Sequence, residues 1–193
     1  MWKSPGRTAT SGRGGQAGGR VGIIDTIYEV IDMRSFSNLW YWIALAVTWS
    51  RTSHNVLGVP WDMITRARRK GGEAETDALA MLGITVNRIL YIHRTAGVIL
   101  VAGVAAVLST LGILGFYYGL QFGQAVFLIA APMALVGFLR LRAAQRLERE
   151  RPSPPLLWRR LAMHRMTIQL VGVIALFVTA MWGMLQNMSV RVL

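Results

Sequence analysis

The feature of this sequence that most limits its fold is a stretch of 45 consecutive residues, from Thr95 to Leu139, that contains no Asp, Glu, Lys, Arg or His. A second charge-free stretch of 25 residues runs from Met166 to Val190. The hydrocarbon core of a bilayer is about 30 Å thick and takes about 20 helical residues to cross. The first stretch is therefore long enough for two membrane-spanning helices, and the second for one.

Composition supports a membrane protein and excludes several other classes. Hydrophobic side chains make up 53% of the 193 residues and charged ones 16%, which is more apolar than a soluble globular domain. The net charge of +12 comes from Lys and Arg in blocks beside the apolar stretches, where topology and anionic lipids account for it, and no nucleic-acid partner is expected. The absence of Cys excludes disulfides, thiolate metal sites and cysteine-ligated iron–sulfur clusters.

The N-terminal part precedes the apolar stretches. Residues 1–22 hold seven Gly and four Lys or Arg and predict a disordered basic tail, because they cannot bury enough apolar surface. No apolar core of a signal peptide follows the basic residues, and a start of synthesis near Val21 is an alternative. Residues 23–34 place Ile and Val at helical spacing with acidic residues on another face, which predicts an amphipathic helix at the membrane surface.

Residues 35–193 predict an all-α integral membrane domain, a four-helix transmembrane bundle. The first span, residues 35–50, lacks charge but reaches only about 24 Å. We therefore expect it to extend through residues 51–58; if it is only interfacial, three spans remain. We also expect a kink at Pro132. The other spans are predicted at residues 95–118, 122–139 and 166–185.

The distribution of basic residues predicts the orientation. Seven Lys or Arg lie between residue 50 and span two, none between spans two and three, and eight between spans three and four. The positive-inside rule places connections 59–94 and 140–165 in the cytoplasm, with both chain ends outside, in a bacterial inner membrane. The first connection reads as two surface helices around a hinge at Gly71-Gly72, the second of them continuing into span two.

Few residues have the chemistry of an active site. No Asp or Glu occurs between Ala78 and Leu147, which argues against proton- or sodium-coupled transport, although passive conduction stays open. No phosphate-binding loop, nucleophile elbow, HExxH motif or paired carboxylates are present, so an enzyme is not expected. His54, His93 and His164 fall at predicted cytoplasmic ends of spans. They can be read as haem or metal ligands or as interfacial polar residues beside arginines; we predict no cofactor and no metal.

Two further sets of residues are candidates for contacts. Close approach of helices in lipid favours small residues, either within this chain or with a partner subunit. The predicted helix-packing residues are Gly97, Gly103, Gly112, Gly115 and Gly119. Basic side chains in the cytoplasmic connections can contact anionic lipid or dock a soluble partner. The predicted partner- or lipid-binding residues are Arg66, Arg68, Arg69, Lys70, Arg140, Arg142, Arg146 and Arg149.

Three segments carry a family resemblance, namely residues 31–42, Gly58-Val59-Pro60 and residues 179–184. Over residues 23–188 the chain resembles a group of short alphaproteobacterial integral membrane proteins, some labelled "component of SufBCD complex". The resemblance implies a link to iron–sulfur cluster assembly and transfers no functional residue. Because the chain has no Cys to carry sulfur or hold a cluster, its role there would be membrane docking.

The sequence therefore predicts a non-enzymatic inner-membrane accessory or scaffold protein that docks a partner complex through its basic connections. A small, oligomeric passive transporter or channel component is the alternative. A haem-binding or redox membrane subunit comes third. The expected partners are anionic lipids and either another protein or further copies of the chain.

Overall fold

A computed structural model describes residues 39–189, with side chains up to Met188. The predicted tail at residues 1–22 and the predicted amphipathic helix at residues 23–34 lie outside the described residues. The predicted all-α class is confirmed, with one small hairpin in addition. The elements in chain order are α1 (Leu39–His54), β1 (Asn55–Val56), β2 (Val59–Pro60), α2 (Trp61–Lys70), α3 (Gly72–Gly112) with a π-helical end (Ile113–Tyr117), α4 (Gln121–Glu150) and α5 (Pro154–Ser189).

Three of the helices are long and apolar enough to cross a membrane, namely those spanning Gly72–Tyr117, Gln121–Glu150 and Pro154–Met188. They coincide with the three spans expected from the charge-free stretches. Each helix also continues well beyond its charge-free stretch. Helix α3 begins 23 residues before Thr95, which is about 35 Å at helical rise. Much of what the sequence marked as cytoplasmic connection is therefore helix.

The first predicted span ends earlier than expected. Helix α1 stops at His54 and does not continue to Gly58, because residues 55–60 form an antiparallel hairpin that pairs Asn55 with Pro60. The two-residue turn places Leu57 and Gly58 at φ +50° and +82°, the positive values that tight hairpin turns require. The left-handed conformation costs Leu57 about 1–2 kcal/mol. Its side chain is only 1% exposed, and burial worth about 2 kcal/mol offsets that cost.

Helix α1 nevertheless lies along the bundle. The Tyr41 hydroxyl donates to the carbonyl of Ala125, near the start of α4, at 3.3 Å. At the other end of α1, Arg140 donates to the carbonyl of Thr52 at 3.2 Å. Helices α1 and α4 therefore run in the same direction over most of the span predicted at residues 122–139. The described part of α1 has 16 residues, fewer than a crossing needs.

The described residues form two separate hydrophobic cores. One lies among the spans and joins α1, α4 and α5 through Leu45, Trp49, Val136, Ile168 and Ala175. The other gathers the hairpin, α2, the first half of α3, the end of α4 and the start of α5. We call this second unit, residues 55–94 and 140–165, the platform. Its core shows that the two predicted cytoplasmic connections fold together instead of lying on the bundle as independent loops.

The connections between the spanning helices are short. Gly119, at φ +71°, forms the turn between α3 and α4. Arg151 ends α4 in the left-handed conformation at φ +38°, and its amide donates to the carbonyl of Leu147. Helix α4 continues without interruption through Pro132, so the sequence assigned this proline correctly to a helix interior; the kink itself stays a prediction.

Candidate functional site

The most basic element of the platform is helix α2. Ile64 and Ala67, three residues apart, are buried in the platform core. This buried pair fixes which face of α2 is covered, because residues three apart share a helix face. The side chains of Arg66, Arg68, Arg69 and Lys70 are all exposed. Three of these four cations occupy the last turn, where the helix dipole favours positive charge.

One contact fixes the start of α2 on the platform, and a pair of glycines ends the helix. At its start, the guanidinium of Arg165 lies 4.4 Å from the ring centroid of Trp61, a cation–π geometry that stabilises by about 0.5–2 kcal/mol. At its end, Gly71 and Gly72 have φ values of +61° and +56°, which stop α2 and allow α3 to begin. The chain breaks between the two helices at this Gly pair, where the sequence predicted a hinge. A rigid helix thus presents the four cations.

A second basic feature is a cleft of about 740 Å³ between the end of α4 and the start of α5. One wall is apolar and includes Phe138, Leu139 and Met163. The polar lining residues are Arg142, Arg146, Glu150, Arg159, Arg160, His164 and Thr167. We refer to this feature as the cleft. Its volume falls in the range of about 300–1,000 Å³ typical of ligand sites.

Ion pairing leaves the cleft strongly positive. Glu150 pairs with Arg160 within the lining. Glu148, the nearest other acid in α4, is held by Arg94 of α3 through two hydrogen bonds of 2.8 and 2.9 Å. Among residues 39–189, the other three lining arginines, at positions 142, 146 and 159, have no carboxylate partner. Arg142 lies 5.0 Å from the ring centroid of Phe138 instead, which orders its side chain at the apolar edge of the cleft.

Two of the four arginines of α4 that were predicted to bind a partner or lipid do not line the cleft. Arg140 is half-buried, and its guanidinium donates to the carbonyl of Thr52 in the last turn of α1. That carbonyl lacks a donor within its own helix because α1 ends two residues later, so Arg140 serves the α1–α4 contact. The predicted role of Arg140 in binding a partner or lipid stays a prediction. Arg149 is exposed in the last turn of α4, outside the cleft lining.

The three histidines lie in different environments. His54 is exposed at the end of α1, and the ring of His93 folds over Gly97 of its own helix. His164 is partly buried in the cleft wall, and its Nε2 has no hydrogen-bond partner within the described chain. Residues 39–189 contain no group of three or more His, Asp or Glu side chains arranged to hold a metal.

The predicted packing glycines divide into two groups. At Gly115 a Cβ would lie 2.7 Å from the amide nitrogen of Gln124, and at Gly112 it would lie 3.7 Å from the Phe127 ring. Gly115 therefore permits the close contact between α3 and α4, whereas a Cβ at Gly112 would make an ordinary van der Waals contact. The structure shows no such interhelical contact within the described chain for the other three, and their packing against a partner subunit stays a prediction. Gly103 and Gly119 have no atom within 4 Å of a Cβ position, and Gly97 meets only His93 of its own helix.

Sequence reasoning missed two glycines that pack closely. Gly123 faces Gly115, and a Cβ on it would lie 2.9 Å from the Gly115 amide nitrogen. Gly172 of α5 faces the ring of Trp49, with a Cβ-to-ring distance of 2.8 Å. Gly123 continues the four-residue spacing of Gly115 and Gly119, a signal that the prediction did not use, whereas Gly172 has no glycine at that spacing.

A hydrogen-bond network around Gln124 joins three helices beside this glycine contact. Its Nε2 donates to the carbonyl of Gly115 at 2.9 Å, and that carbonyl is available because α3 ends there. Its Oε1 accepts from Trp182 Nε1 and from Gln186 Nε2 of α5, both at 2.9 Å. The one available signal was a polar residue that opens an otherwise apolar span.

The described surface of the platform therefore groups arginine and lysine side chains on the exposed face of α2 and in the cleft. Guanidinium groups bind carboxylates and phosphates through paired hydrogen bonds. The chemistry available at both places is recognition of anions. Comparison of this chain with protein-family models, with curated proteins and with solved structures found no match.

Proposed function

We propose that this chain is a non-enzymatic accessory or scaffold protein of a bacterial inner membrane, and that α2 docks a soluble cytoplasmic protein with an acidic surface. The observation that carries the proposal is the set of four exposed cations on α2, namely Arg66, Arg68, Arg69 and Lys70. They are held on a helix that packs into the platform core. Complementary charge steers association and selects partners. An ordered helix also costs less entropy on binding than a flexible loop.

The position of α2 favours a protein partner over the lipid surface. Arg68 lies beside Glu75 of α3 and Trp158 of α5 in a shallow pocket. Trp158 precedes Met166 by eight residues, about 12 Å along α5, and Glu75 precedes Thr95 by twenty residues, about 30 Å along α3. The end of α2 is therefore farther along the helices from the charge-free stretches than Arg142 of the cleft, which lies about 5 Å from Leu139 along α4, and this favours a protein partner.

The orientation belongs to the same proposal. The basic connections that fold into the platform are the segments that the positive-inside rule places in the cytoplasm. The absence of acids from the charge-free stretches and the absence of catalytic motifs favour a binding role. The resemblance to the group labelled "component of SufBCD complex" makes a cytoplasmic iron–sulfur assembly complex the first partner to test.

Affinity purification of the tagged full-length protein in mild detergent, followed by mass spectrometry, tests this function. We compare the wild type with R66Q/R69Q on α2 and with R142Q/R146Q in the cleft as a matched loss of two charges. The expected result is a stoichiometric partner with an acidic surface, retained by the cleft variant and weakened about tenfold by R66Q/R69Q, since exposed ion pairs contribute about 0.2–1 kcal/mol each. Binding should also weaken with added salt.

Two outcomes contradict the proposal. If both variants retain the partner equally, α2 is not the docking surface. If the wild type purifies alone as a homo-oligomer and passes solute across vesicle membranes, the alternative function, a small passive transporter, is correct. A haem subunit would instead show a Soret absorption band in the purified protein.

A further inference from the structure

The cleft between α4 and α5 has a chemistry and a location that differ from those of α2. We propose that it is a specific binding site for the phosphate headgroup of an anionic glycerophospholipid from the cytoplasmic leaflet. The headgroup would contact Arg142, Arg146 and Arg159, and the glycerol and upper acyl chains would lie on the apolar wall formed by Phe138 and Met163.

The height of the cleft matches the headgroup layer. Its lining starts at Phe138 and Leu139, where the first charge-free stretch ends, and at Thr167, where the second begins. Arg142 and Arg146 follow Leu139 by three and seven residues, about 5 Å and about 10 Å along α4. The headgroup layer of a bilayer is about 5–8 Å deep on each side. A lipid can therefore keep its chains in the membrane while its phosphate reaches these arginines.

The charge of the cleft indicates which headgroup fits. Four arginines and one glutamate line it, and Glu150 neutralises Arg160, which leaves three arginines without a carboxylate partner within residues 39–189. Arg142 and Arg146 are one helical turn apart and share a face of α4. Three positive charges exceed the single charge of a one-phosphate headgroup. A lipid with two phosphates, such as cardiolipin, should therefore bind more tightly than phosphatidylglycerol.

Side-chain geometry favours phosphate over other anions of similar charge. Guanidinium groups form paired, charge-assisted hydrogen bonds with phosphate oxygens. Basic pockets between membrane helices on the cytoplasmic side are suited to phosphate-bearing headgroups. The site thus combines cations and an apolar wall, and a free phosphate would use only the first.

Native mass spectrometry of the delipidated full-length protein tests the proposal. Cardiolipin, phosphatidylglycerol, phosphatidylethanolamine and inorganic phosphate are added separately. We expect cardiolipin to bind more tightly than phosphatidylglycerol, and both to bind more tightly than phosphatidylethanolamine. Inorganic phosphate should not displace bound lipid at equal concentration. Equal binding of the zwitterionic lipid, or displacement by free phosphate, overturns the assignment to a lipid headgroup.

Paired variants locate the site. A basic residue near a membrane surface strengthens binding of anionic lipid about fivefold, so R142Q/R146Q should weaken cardiolipin binding roughly 25-fold. The matched variant R66Q/R69Q removes the same charge from α2 and should bind like the wild type. R142K/R146K keeps the charge, loses the paired geometry and should lie between the two. Equal weakening in R142Q/R146Q and R66Q/R69Q would show that net charge alone attracts lipid and would refute the site.

A mapping experiment on the wild-type protein tests the site without relying on variants that could misfold. The wild-type protein is reconstituted with a cardiolipin analogue that carries a photoreactive group on an acyl chain near the glycerol. Crosslinks should concentrate on peptides covering residues 138–147 and 156–167. A pattern spread evenly over the exposed apolar faces of α3, α4 and α5 contradicts a specific site. Because α2 takes no part in this readout, its outcome is independent of the proposed docking function.

Discussion

The contact between Gly115 and Gly123 gives the sharpest test of how α3 and α4 pack. In the variant Gly115→Ala, the added Cβ would lie 2.7 Å from the amide nitrogen of Gln124 and 2.9 Å from the carbonyl carbon of Gly123. Both are backbone atoms of a helix and cannot rotate away as a side chain can. The two helices must therefore separate to accept one methyl group.

The size of the effect follows from these distances. Reaching an ordinary van der Waals contact of 3.4 Å requires a separation of about 0.7 Å, and overpacking of this kind costs about 1–3 kcal/mol. The same movement stretches the 2.9 Å bond from Gln124 to the Gly115 carbonyl beyond hydrogen-bonding range. Loss of a hydrogen bond between membrane helices costs about 0.6 kcal/mol. We expect Gly115→Ala to lower the free energy of unfolding by about 2 kcal/mol.

Unfolding by sodium dodecyl sulfate in mixed micelles, followed by tryptophan fluorescence, measures this change. Gly103→Ala is the matched control, because it adds the same methyl group to the same helix where no atom lies within 4 Å. Replacing an exposed helical glycine should raise stability by up to about 1 kcal/mol. If Gly115→Ala is as stable as Gly103→Ala, α3 and α4 do not approach as closely as the structure shows.

Three further predictions use the same unfolding measurement. Gln124→Leu should lower the free energy of unfolding by about 2 kcal/mol, since it removes three interhelical hydrogen bonds of about 0.6 kcal/mol each. The control Gln169→Leu, at an exposed position, should be nearly neutral. Similar losses in both variants would refute the network. Gly172→Ala should lower the free energy of unfolding by about 1–3 kcal/mol, because its methyl meets the buried ring of Trp49, and an unchanged midpoint would contradict that contact. Glu148→Gln should cost under about 1 kcal/mol, because its ion pair is exposed, and a larger loss would show that the pair is shielded from solvent.

The platform links these structural features to the proposed functions. Because its core joins segments from α2, α3, α4 and α5, docking at α2 and lipid binding in the cleft involve the same folded unit. The two variants R66Q/R69Q and R142Q/R146Q separate the activities. Loss of partner binding in the first and of lipid binding in the second is the expected pattern.

Some features of this protein follow from local sequence. A charge-free stretch of 45 residues specifies two spans wherever it occurs, because lipid cannot hydrogen-bond an unpaired backbone and a helix satisfies its own polar groups. The breaks at Gly71-Gly72 and Gly119 were equally readable, since these positions adopt positive φ values that other residues resist. Chain reversal and membrane crossing depend on residues close together in sequence.

Only the tertiary structure shows which face of each helix is packed against another helix. Arg140 and Arg142 are two residues apart, so they point about 200° apart around α4, and the position of α1 decides that Arg140 turns inward while Arg142 lines the cleft. Likewise, a helix that is apolar all round has no amphipathic pattern to mark its packed side. Gly115 and Gly103 both lie in apolar sequence, and only the fold shows that the first is packed and the second exposed. Which side of each helix is covered depends on partners distant in sequence, and only their packing determines it.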